Sequence, residues 1–323
     1  MPFRFNLSTS LSPSLSADRL CRIVLSIIAV LIVGSTQAFA ADGVRLAQRS
    51  ANNPGAAAAP AAEPYAPKAH IVSLGLWGLQ NLFRTEANQA AAVLHAYYGR
   101  GGTVMVKANT PTTAVVTSAA LQAALKSVGE QMNRAQDLLV LVLTSHGSPQ
   151  GIGITTRRHK ELLTPGQLRQ YLGESGAANK VVIISACFSG IFSPLADDHT
   201  LVITAADATH PSFGCSDKAN MTFFGELFFN GAVPERATLP DAFALARGQI
   251  KQLEDELCPD PKRKAAGACN SNPQILGGEA FAGGLHAAPV SGAARKELRL
   301  GESRQKFCRQ AGLTARVSAC KRV

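Results

Sequence analysis

Several short motifs that would point to cofactor chemistry are missing from this sequence. Neither the GxxxxGK[ST] nor the GxGxxG phosphate-binding pattern occurs. No two cysteines have the C-x-x-C spacing of a zinc site or a thioredoxin-like site. Beyond residue 40, no hydrophobic run is long enough to cross a bilayer. We therefore expect no nucleotide cofactor and no metal, and we look for chemistry carried by side chains alone.

The first 40 residues have the pattern of an export signal. Three arginines precede an apolar stretch at 23–33, and an A-x-A-like sequence ends at Ala40. A basic start, a short apolar centre and small residues before a cleavage point are typical of a secretory signal peptide. The sequence predicts cleavage after Ala40 and a periplasmic or secreted protein. An uncleaved N-terminal anchor is the alternative.

The remaining chain divides by composition into three parts. Residues 41–67 are rich in Ala, Pro and Asn, which indicates a disordered linker. Residues 68–285 are predicted to form the folded domain, and they carry little of the net charge of +10. Residues 286–323 form a basic tail. Such a tail is either a solvated helical face or a contact to an anionic envelope surface; no nucleic-acid partner is expected, since aromatic residues are nearly absent from it.

Six cysteines remain after the predicted cleavage. The shortest pairings are Cys258 with Cys269 and Cys308 with Cys320, although four cysteines allow three connectivities. An exported protein meets an oxidising compartment, which favours such disulfides. Cys187 and Cys215 are then left as free thiols.

Apolar runs alternate with helical segments from about residue 70 onward. Short apolar runs separated by helices are typical of βαβ units, with a mostly parallel sheet and helices on both faces. The predicted strands are 71–76, 103–107, 138–144, 181–184 and 201–204. The predicted helices are 80–98, 118–134, one that starts at Thr164 and Pro165, 221–229 and 239–256.

His146 and Cys187 each follow one of these buried strands directly. The carboxyl ends of parallel strands share one edge of a sheet, where the sites of α/β proteins form. Each residue taken alone is more often a core or turn residue, but the pair supplies a nucleophile and a proton-transfer partner. Gly147 has no Cβ, so a substrate carbonyl can approach its N–H, which would form an oxyanion hole with the N–H of Cys187.

These segments resemble the legumain family of cysteine peptidases (asparaginyl endopeptidases or haemoglobinases), closest to its bacterial, exported branch. The residues that carry the resemblance are Ser145-His146-Gly147, Ser185-Ala186-Cys187, the stretch 204–217 and Leu82-Phe83-Arg84-Thr85. It spans roughly residues 70–283. The resemblance implies a three-layer α/β/α caspase-haemoglobinase-like fold. It also implies a Cys-His dyad without a required third member.

The resemblance further implies a pocket for the residue before the cut. Arg84 would donate to a side-chain carbonyl and Asp217 would accept from an amide, which suits Asn, and Asp when protonated. Eukaryotic members have a glutamate where this chain has Ser185, so strict Asn selectivity is open. If Arg84 points away, Asp217 favours Arg or Lys instead. The alternatives without a role in substrate binding are a surface charge on a helix for Arg84 and a helix N-cap for Asp217.

The sequence therefore predicts a cysteine endopeptidase acting on proteins or peptides, cutting after Asn or Asp. The same site could serve as a peptide ligase or transpeptidase, and a non-catalytic caspase-like binding module is the alternative from another class. Self-processing is a further expectation, with candidate cuts after Asn52, Asn53, Asn270 and Asn272.

Overall fold

The computed structural model describes residues 65–99, 101–217, 219–258, 260–266 and 269–281. The predicted leader, most of the linker, the basic tail, and with it Cys308 and Cys320, lie outside these residues. Within them, no helix combines the length and the apolar character needed to cross a membrane.

The described chain alternates strands with helices. The strands are β1 (Ala69–Gly75), β2 (Val104–Ala108), β3 (Leu138–Thr144), β4 (Gly147–Ser148), β5 (Gly151–Thr155), β6 (Lys160–Leu163), β7 (Asn179–Ser185), β8 (Thr200–Thr204) and β9 (Gln274–Leu276). The α-helices are α1 (Asn81–Tyr98), α2 (Ser118–Gln131), α3 (Pro165–Ser175), α4 (Phe223–Gly225), α5 (Leu239–Leu257) and α6 (Pro261–Ala265). Three 3₁₀ helices cover Ser189–Leu195, Val233–Glu235 and Glu279–Phe281, and Glu226–Ala232 is π-helical.

A six-stranded sheet in the order β2-β1-β3-β7-β8-β9 forms the centre of the fold. The first five strands are parallel, and β9 is antiparallel at one edge. Strands β3 and β7 lie in the middle, and their apolar side chains are buried on both faces, as their unbroken apolar runs indicate. The prediction of a mostly parallel sheet is confirmed, while the short edge strand β9 was not predicted.

Helices cover both faces of this sheet. One face packs against α1, the 223–235 segment and α5, and the other packs against α2, α3 and the 3₁₀ helix at Ser189–Leu195. Successive strand residues separate cleanly: Val140 and Val142 join the first cluster, while Leu139 and Leu141 join the second. The three-layer α/β/α architecture is therefore present as predicted.

A small antiparallel sheet interrupts the alternation directly after His146. Strands β4, β5 and β6 pair in sequence order, and Ile152, Ile154 and Leu163 bury their side chains in the second core cluster. The sequence analysis assigned no structure to this stretch, because two- to five-residue strands leave little periodicity to detect. The small sheet lies beside His146, since the N–H of Gly153 in β5 donates to the carbonyl oxygen of His146 at 2.9 Å.

Helix boundaries follow their local signals in most places. Thr164 caps α3 with a reciprocal capping box to Gln167, and Pro165 occupies the first turn, as predicted. The predicted helix at 221–229 is wrong in type, since only three residues are α-helical before the π-helical turn. Gly231 and Pro234 lie close together there, and both disfavour a regular α-helix.

The cysteines of the described region are arranged as expected. Cys258 and Cys269 form a disulfide, with Cα atoms 5.9 Å apart. Cys187 and Cys215 are free thiols. The disulfide bridges two residues of the connection between α5 and β9. This connection leads to the start of β9, which lies beside the carboxyl end of β8.

Candidate active site

The register of β3 and β7 places His146 and Cys187 at corresponding positions just beyond two adjacent strands. Thr144 pairs with Ser185 at the last matched position of the two strands. The N–H of Ser145 then donates to the carbonyl oxygen of Ser185 at 3.1 Å, so the chains remain adjacent beyond the strands. His146 lies two residues beyond Thr144, and Cys187 lies two residues beyond Ser185. Neighbouring strands lie about 4.8 Å apart, which brings an imidazole and a thiol to the same edge.

Backbone N–H groups surround the half-buried thiol of Cys187. The N–H of Ser212 donates to Sγ at 3.3 Å, and the thiol faces the carbonyl oxygen of Ser212 at 3.4 Å. Burial raises the pKa of the Cys187 thiol, and hydrogen bonds from the backbone of Ser212, Cys187 and Gly147 partly oppose this rise. The two N–H groups predicted to form an oxyanion hole, those of Gly147 and Cys187, are therefore among the backbone groups that stabilise the thiolate.

The residue after the nucleophile candidate holds an unusual backbone conformation. Phe188 has φ 55°, in the left-handed region that non-glycine residues seldom occupy. Its N–H donates to the carbonyl oxygen of His210 at 2.9 Å, and the 3₁₀ helix starts at the next residue. Such a conformation costs about 1–3 kcal/mol, which the surrounding packing must offset.

Gly147 packs directly against Cys187. A Cβ added at Gly147 would overlap the carbonyl oxygen of Cys187 and crowd the side chain of Ala186. The absence of a side chain is thus required by the contact between the two strand ends themselves. This contact is a second reason for a glycine here, besides the predicted approach of a substrate carbonyl.

Three side chains fix the imidazole of His146. The rings of Trp77 and Phe83 lie edge-on to it, with centroids 4.8 and 4.9 Å away. Its Nε2 lies 2.5 Å from Oε1 of Gln80. Burial lowers the pKa of His146, and the negative charge of Asp217 partly opposes this. A neutral imidazole beside a neutral thiol is therefore the resting state that these pKa shifts favour.

Gln80 joins His146 to Asp217. Its Nε2 donates to Oδ1 of Asp217 at 2.6 Å and also faces the carbonyl oxygen of Cys215 at 3.4 Å. Two acceptors around one amide atom identify it as nitrogen, so the other atom is the oxygen that accepts from His146. Nε2 of His146 then carries the proton, and Nδ1 is the basic nitrogen.

Residues 101–265 of the chain match the Peptidase C13 family. The chain belongs to this family. The expected legumain-type identity and α/β fold are thereby confirmed, and the protein is a cysteine peptidase that acts on proteins or peptides. Among solved structures, caspase-1 from Spodoptera frugiperda is similar, with 14% identity and a TM-score of 0.44, over 65% of this chain and 86% of that chain. No curated protein matches.

In this peptidase, Gln80 is a site residue that was not predicted from the sequence. Gln80 is the N-cap residue of α1, with an extended backbone and no side-chain capping bond. Glutamine is not among the preferred N-cap residues. A helix that starts without a capping side chain was therefore the only sequence signal that Gln80 has another role. Local sequence gives no indication that this amide reaches His146, which is 66 residues away.

The three predicted pocket residues lie in different environments. Arg84 is exposed on α1, one turn beyond Gln80. Asp217 is exposed and bonded to Gln80, and it does not cap the following helix, because Thr222 does so by accepting from the N–H of Gly225. Ser185 is fully buried, with its hydroxyl 3.2 Å from that of Thr222. The side chain of Ser185 therefore lies inside the peptidase core.

A buried carboxyl group, that of Glu86, lies beneath the two strand ends. It accepts from the hydroxyl of Thr144 at 3.0 Å and from the N–H of Thr222 at 2.8 Å, and it also interacts with the hydroxyl of Ser185. Burial raises the pKa of Glu86 despite these bonds. The resemblance places a glutamate of the eukaryotic members at the position of Ser185. In this chain, helix α1 brings the carboxyl group of Glu86 to Ser185 instead.

Cys215 is the second free thiol near the site. Burial raises its pKa to about 12, and electrostatic repulsion from the ionised forms of Cys187 and Glu86 adds to this rise. A thiol with such a pKa is protonated at neutral pH and is a poor nucleophile. Of the two free cysteines, Cys187 is therefore the better suited to attack a substrate.

Proposed function

We propose that this peptidase is an endopeptidase that uses Cys187 as nucleophile and His146 as proton carrier. The observation that carries the proposal is the Thr144–Ser185 pairing, which makes His146 and Cys187 neighbours at the end of the sheet. The N–H groups of Gly147 and Cys187 around the sulfur support an oxyanion hole at the same point.

The reaction then follows from the resting state. His146 takes the thiol proton as Sγ attacks the substrate carbonyl carbon, and the carbonyl oxygen becomes an anion held by the two N–H groups. Collapse of this intermediate breaks the C–N bond, and His146 gives its proton to the leaving amine. A thioester remains. His146 next takes a proton from water, which attacks the thioester and releases the acid, and the proton returns to sulfur.

In this proposal Gln80 orients His146. The hydrogen bond from Nε2 leaves Nδ1 as the only ring nitrogen that can accept the thiol proton. The edge-on rings of Trp77 and Phe83 restrict rotation of the imidazole. Gln80 is then a positioning residue, because it acts through His146 and not on the substrate.

We further propose that cleavage follows Asn or Asp. Arg84 lies one turn from Gln80 on α1, and Asp217 is anchored by Gln80. Both residues lie near Gln80 in the fold, and we propose that the side chain before the scissile bond binds between them. The guanidinium would donate to the side-chain carbonyl, and the carboxylate oxygen of Asp217 that Gln80 does not bind would accept from an amide.

Digestion of a peptide library by the wild type, Cys187→Ala and Arg84→Ala tests both proposals. We expect cleavage after Asn or Asp by the wild type only, with a loss of that selectivity in Arg84→Ala. Cleavage after Lys or Arg would reject the pocket and keep the dyad. Activity that persists in Cys187→Ala would reject the dyad. An added amine nucleophile that yields a ligated product would identify a transpeptidase.

The proposal includes export and self-processing. Export depends on the signal peptide predicted at 1–40, and N-terminal sequencing of the protein from its native host would test it. Of the four candidate cut sites, Asn52 and Asn53 lie outside the described residues. Asn272 has its side chain bonded to Asp207 and Arg247, which disfavours a cut there in the folded protein. Intact-mass analysis during incubation would identify the sites used.

A further inference from the structure

A cavity of about 660 Å³ lies beside the site, between α5 and the segment that precedes β9. Arg247 and Lys251 of α5 line one wall, and Asn272 and His210 line another. The pairing of Gln274 with Thr204 places this segment at the carboxyl end of β8. The cavity therefore opens at the same edge of the sheet as the thiol, one strand further along.

The cavity begins a short distance from Cys187. His210 contacts the nucleophile turn, since its carbonyl oxygen accepts from the N–H of Phe188 at 2.9 Å. Ser212, two residues further on, donates to Sγ of Cys187 at 3.3 Å. Two extended residues span about 7 Å, so a bound peptide would reach the cavity about two to four residues from the scissile bond.

Arg247 is a cation of the cavity wall with no acidic partner in the described part of the chain. Arg247 donates to the side-chain oxygen of Asn272 at 3.1 Å, and no carboxylate within the described residues forms an ion pair with it. Lys251 lies on the same helical face, four residues on, and is paired with Asp255. The guanidinium of Arg247 thus keeps its full charge and a planar set of donors suited to a carboxylate.

The two acidic groups near the cavity are already engaged. The carboxylate of Asp207 accepts from Asn272, Thr209 and His210, from backbone as well as side-chain donors. The carboxyl group of Glu254 accepts both the N–H and the hydroxyl of Ser271. Both acids therefore bind other protein groups and not the guanidinium of Arg247, and Nε2 of His210 has no protein partner among the residues described.

We infer that this cavity is a substrate subsite that binds an acidic side chain of the peptide, two to four residues from the cut, through Arg247. The inference rests on the proposed endopeptidase function and names a feature of its substrate. A carboxylate there would accept a bidentate pair of hydrogen bonds from the guanidinium, with His210 as a second donor when protonated.

The test uses peptides with one cleavable bond and either Glu or Gln at each of the second to fifth positions on both sides. We expect the wild type to prefer Glu over Gln about tenfold in kcat/KM at one of these positions. A ratio of this size corresponds to the gain of one charge-assisted hydrogen bond. Arg247→Ala should reduce this ratio to about one, and Arg247→Glu should favour Lys at that position. Lys126→Ala, which removes a cation on the opposite face, should leave the ratio unchanged.

Binding of the same peptides to Cys187→Ala separates this inference from the proposed function. A Glu preference in Kd that Arg247→Ala abolishes in the Cys187→Ala background supports the subsite, even if the wild type cleaves nothing. Cleavage that needs Cys187 but shows no Glu preference would overturn the subsite and keep the endopeptidase. A Glu preference that survives in Arg247→Glu would also overturn it.

Discussion

The side-chain oxygen of Gln80 accepts a hydrogen bond from Nε2 of His146, while the amide nitrogen of Gln80 donates to Asp217. One uncharged side chain thereby links the imidazole to a carboxylate. The carboxylate charge reaches His146 only at a distance, so it opposes the burial effect on the pKa without cancelling it. Asp217 is therefore tied to the orientation of His146 as well as to the proposed pocket.

Replacement of Gln80 by Ala should lower kcat about 100-fold, because either ring nitrogen of His146 can then carry the proton. Steady-state kinetics on a peptide cut by the wild type would measure this. Gln122→Ala is the matched control, since Gln122 also donates to a carboxylate, that of Glu174, but on the opposite face of the sheet. Equal kcat in Gln80→Ala and wild type would show that the amide does not position the imidazole.

The variant Asp217→Asn should shift the acid limb of the kcat/KM profile to lower pH. The carboxylate raises the pKa of His146 against the effect of burial, so its removal lets that pKa fall further. The neutral imidazole required for attack then persists at lower pH. Profiles from pH 4 to 9 would reveal the shift, and a shift to higher pH would contradict this account. Loss of Asn preference in the same variant would measure the share of Asp217 in the pocket.

A methyl group at Gly147 should abolish activity, because the new Cβ would meet the carbonyl oxygen of Cys187. Gly147→Ala should also lower the melting temperature. Gly173→Ala in α3 is the control: open space surrounds that position, and alanine is favoured over glycine within a helix by about 0.5–1 kcal/mol. Full activity in Gly147→Ala would mean that the two strand ends are further apart than described.

Stability should fall as the pH rises toward 7, in part because of Glu254. Burial raises its pKa to about 7, so the folded protein retains a proton that the unfolded chain loses above about 4.5. The free energy of unfolding therefore decreases between these values, by at most ~3 kcal/mol. Glu254→Gln should flatten this slope in urea titrations, whereas exposed Glu130→Gln should not. Glu86, whose pKa is also raised, will leave a residual slope.

Removal of the disulfide should weaken substrate binding as well as the fold. Cys258 and Cys269 line a cavity of about 270 Å³ together with Phe213 and Gly214, which belong to the segment around the thiol. The double variant Cys258→Ser, Cys269→Ser should lose about 2–4 kcal/mol of unfolding free energy. We expect KM to rise more than kcat falls, because the nucleophile itself follows β7 directly and is not part of this segment. An unchanged KM would show that the disulfide does not support the segment.

Much of the architecture follows from local sequence. Strand β3 was predicted with its observed bounds because seven apolar or β-branched residues end abruptly at Ser145. The start of α3 followed from Thr164 and Pro165. The π-helical turn at Glu226–Ala232 and the short strand β9 escaped prediction, since neither extends far enough to produce a period.

The candidate site likewise contains residues that the sequence predicted and residues that it did not. His146, Gly147 and Cys187 could be predicted from the sequence because each follows a strand, and the carboxyl ends of parallel strands lie at one edge of the sheet. The sequence did not predict that Gln80, Glu86 and Arg247 lie in or near the site, since their partners are distant along the chain.

By itself, the sequence determined the order of strands and helices, the edge of the sheet that carries the chemistry and the residues able to perform it. These features depend on the period of apolar residues and on capping, which act within one turn or strand. Only the tertiary structure decided the tautomer of His146, the burial of Ser185 over Glu86 and the charge of the neighbouring cavity. Each of these depends on how distant segments pack, because hydrogen bonds and desolvation depend on distance in space and not along the chain.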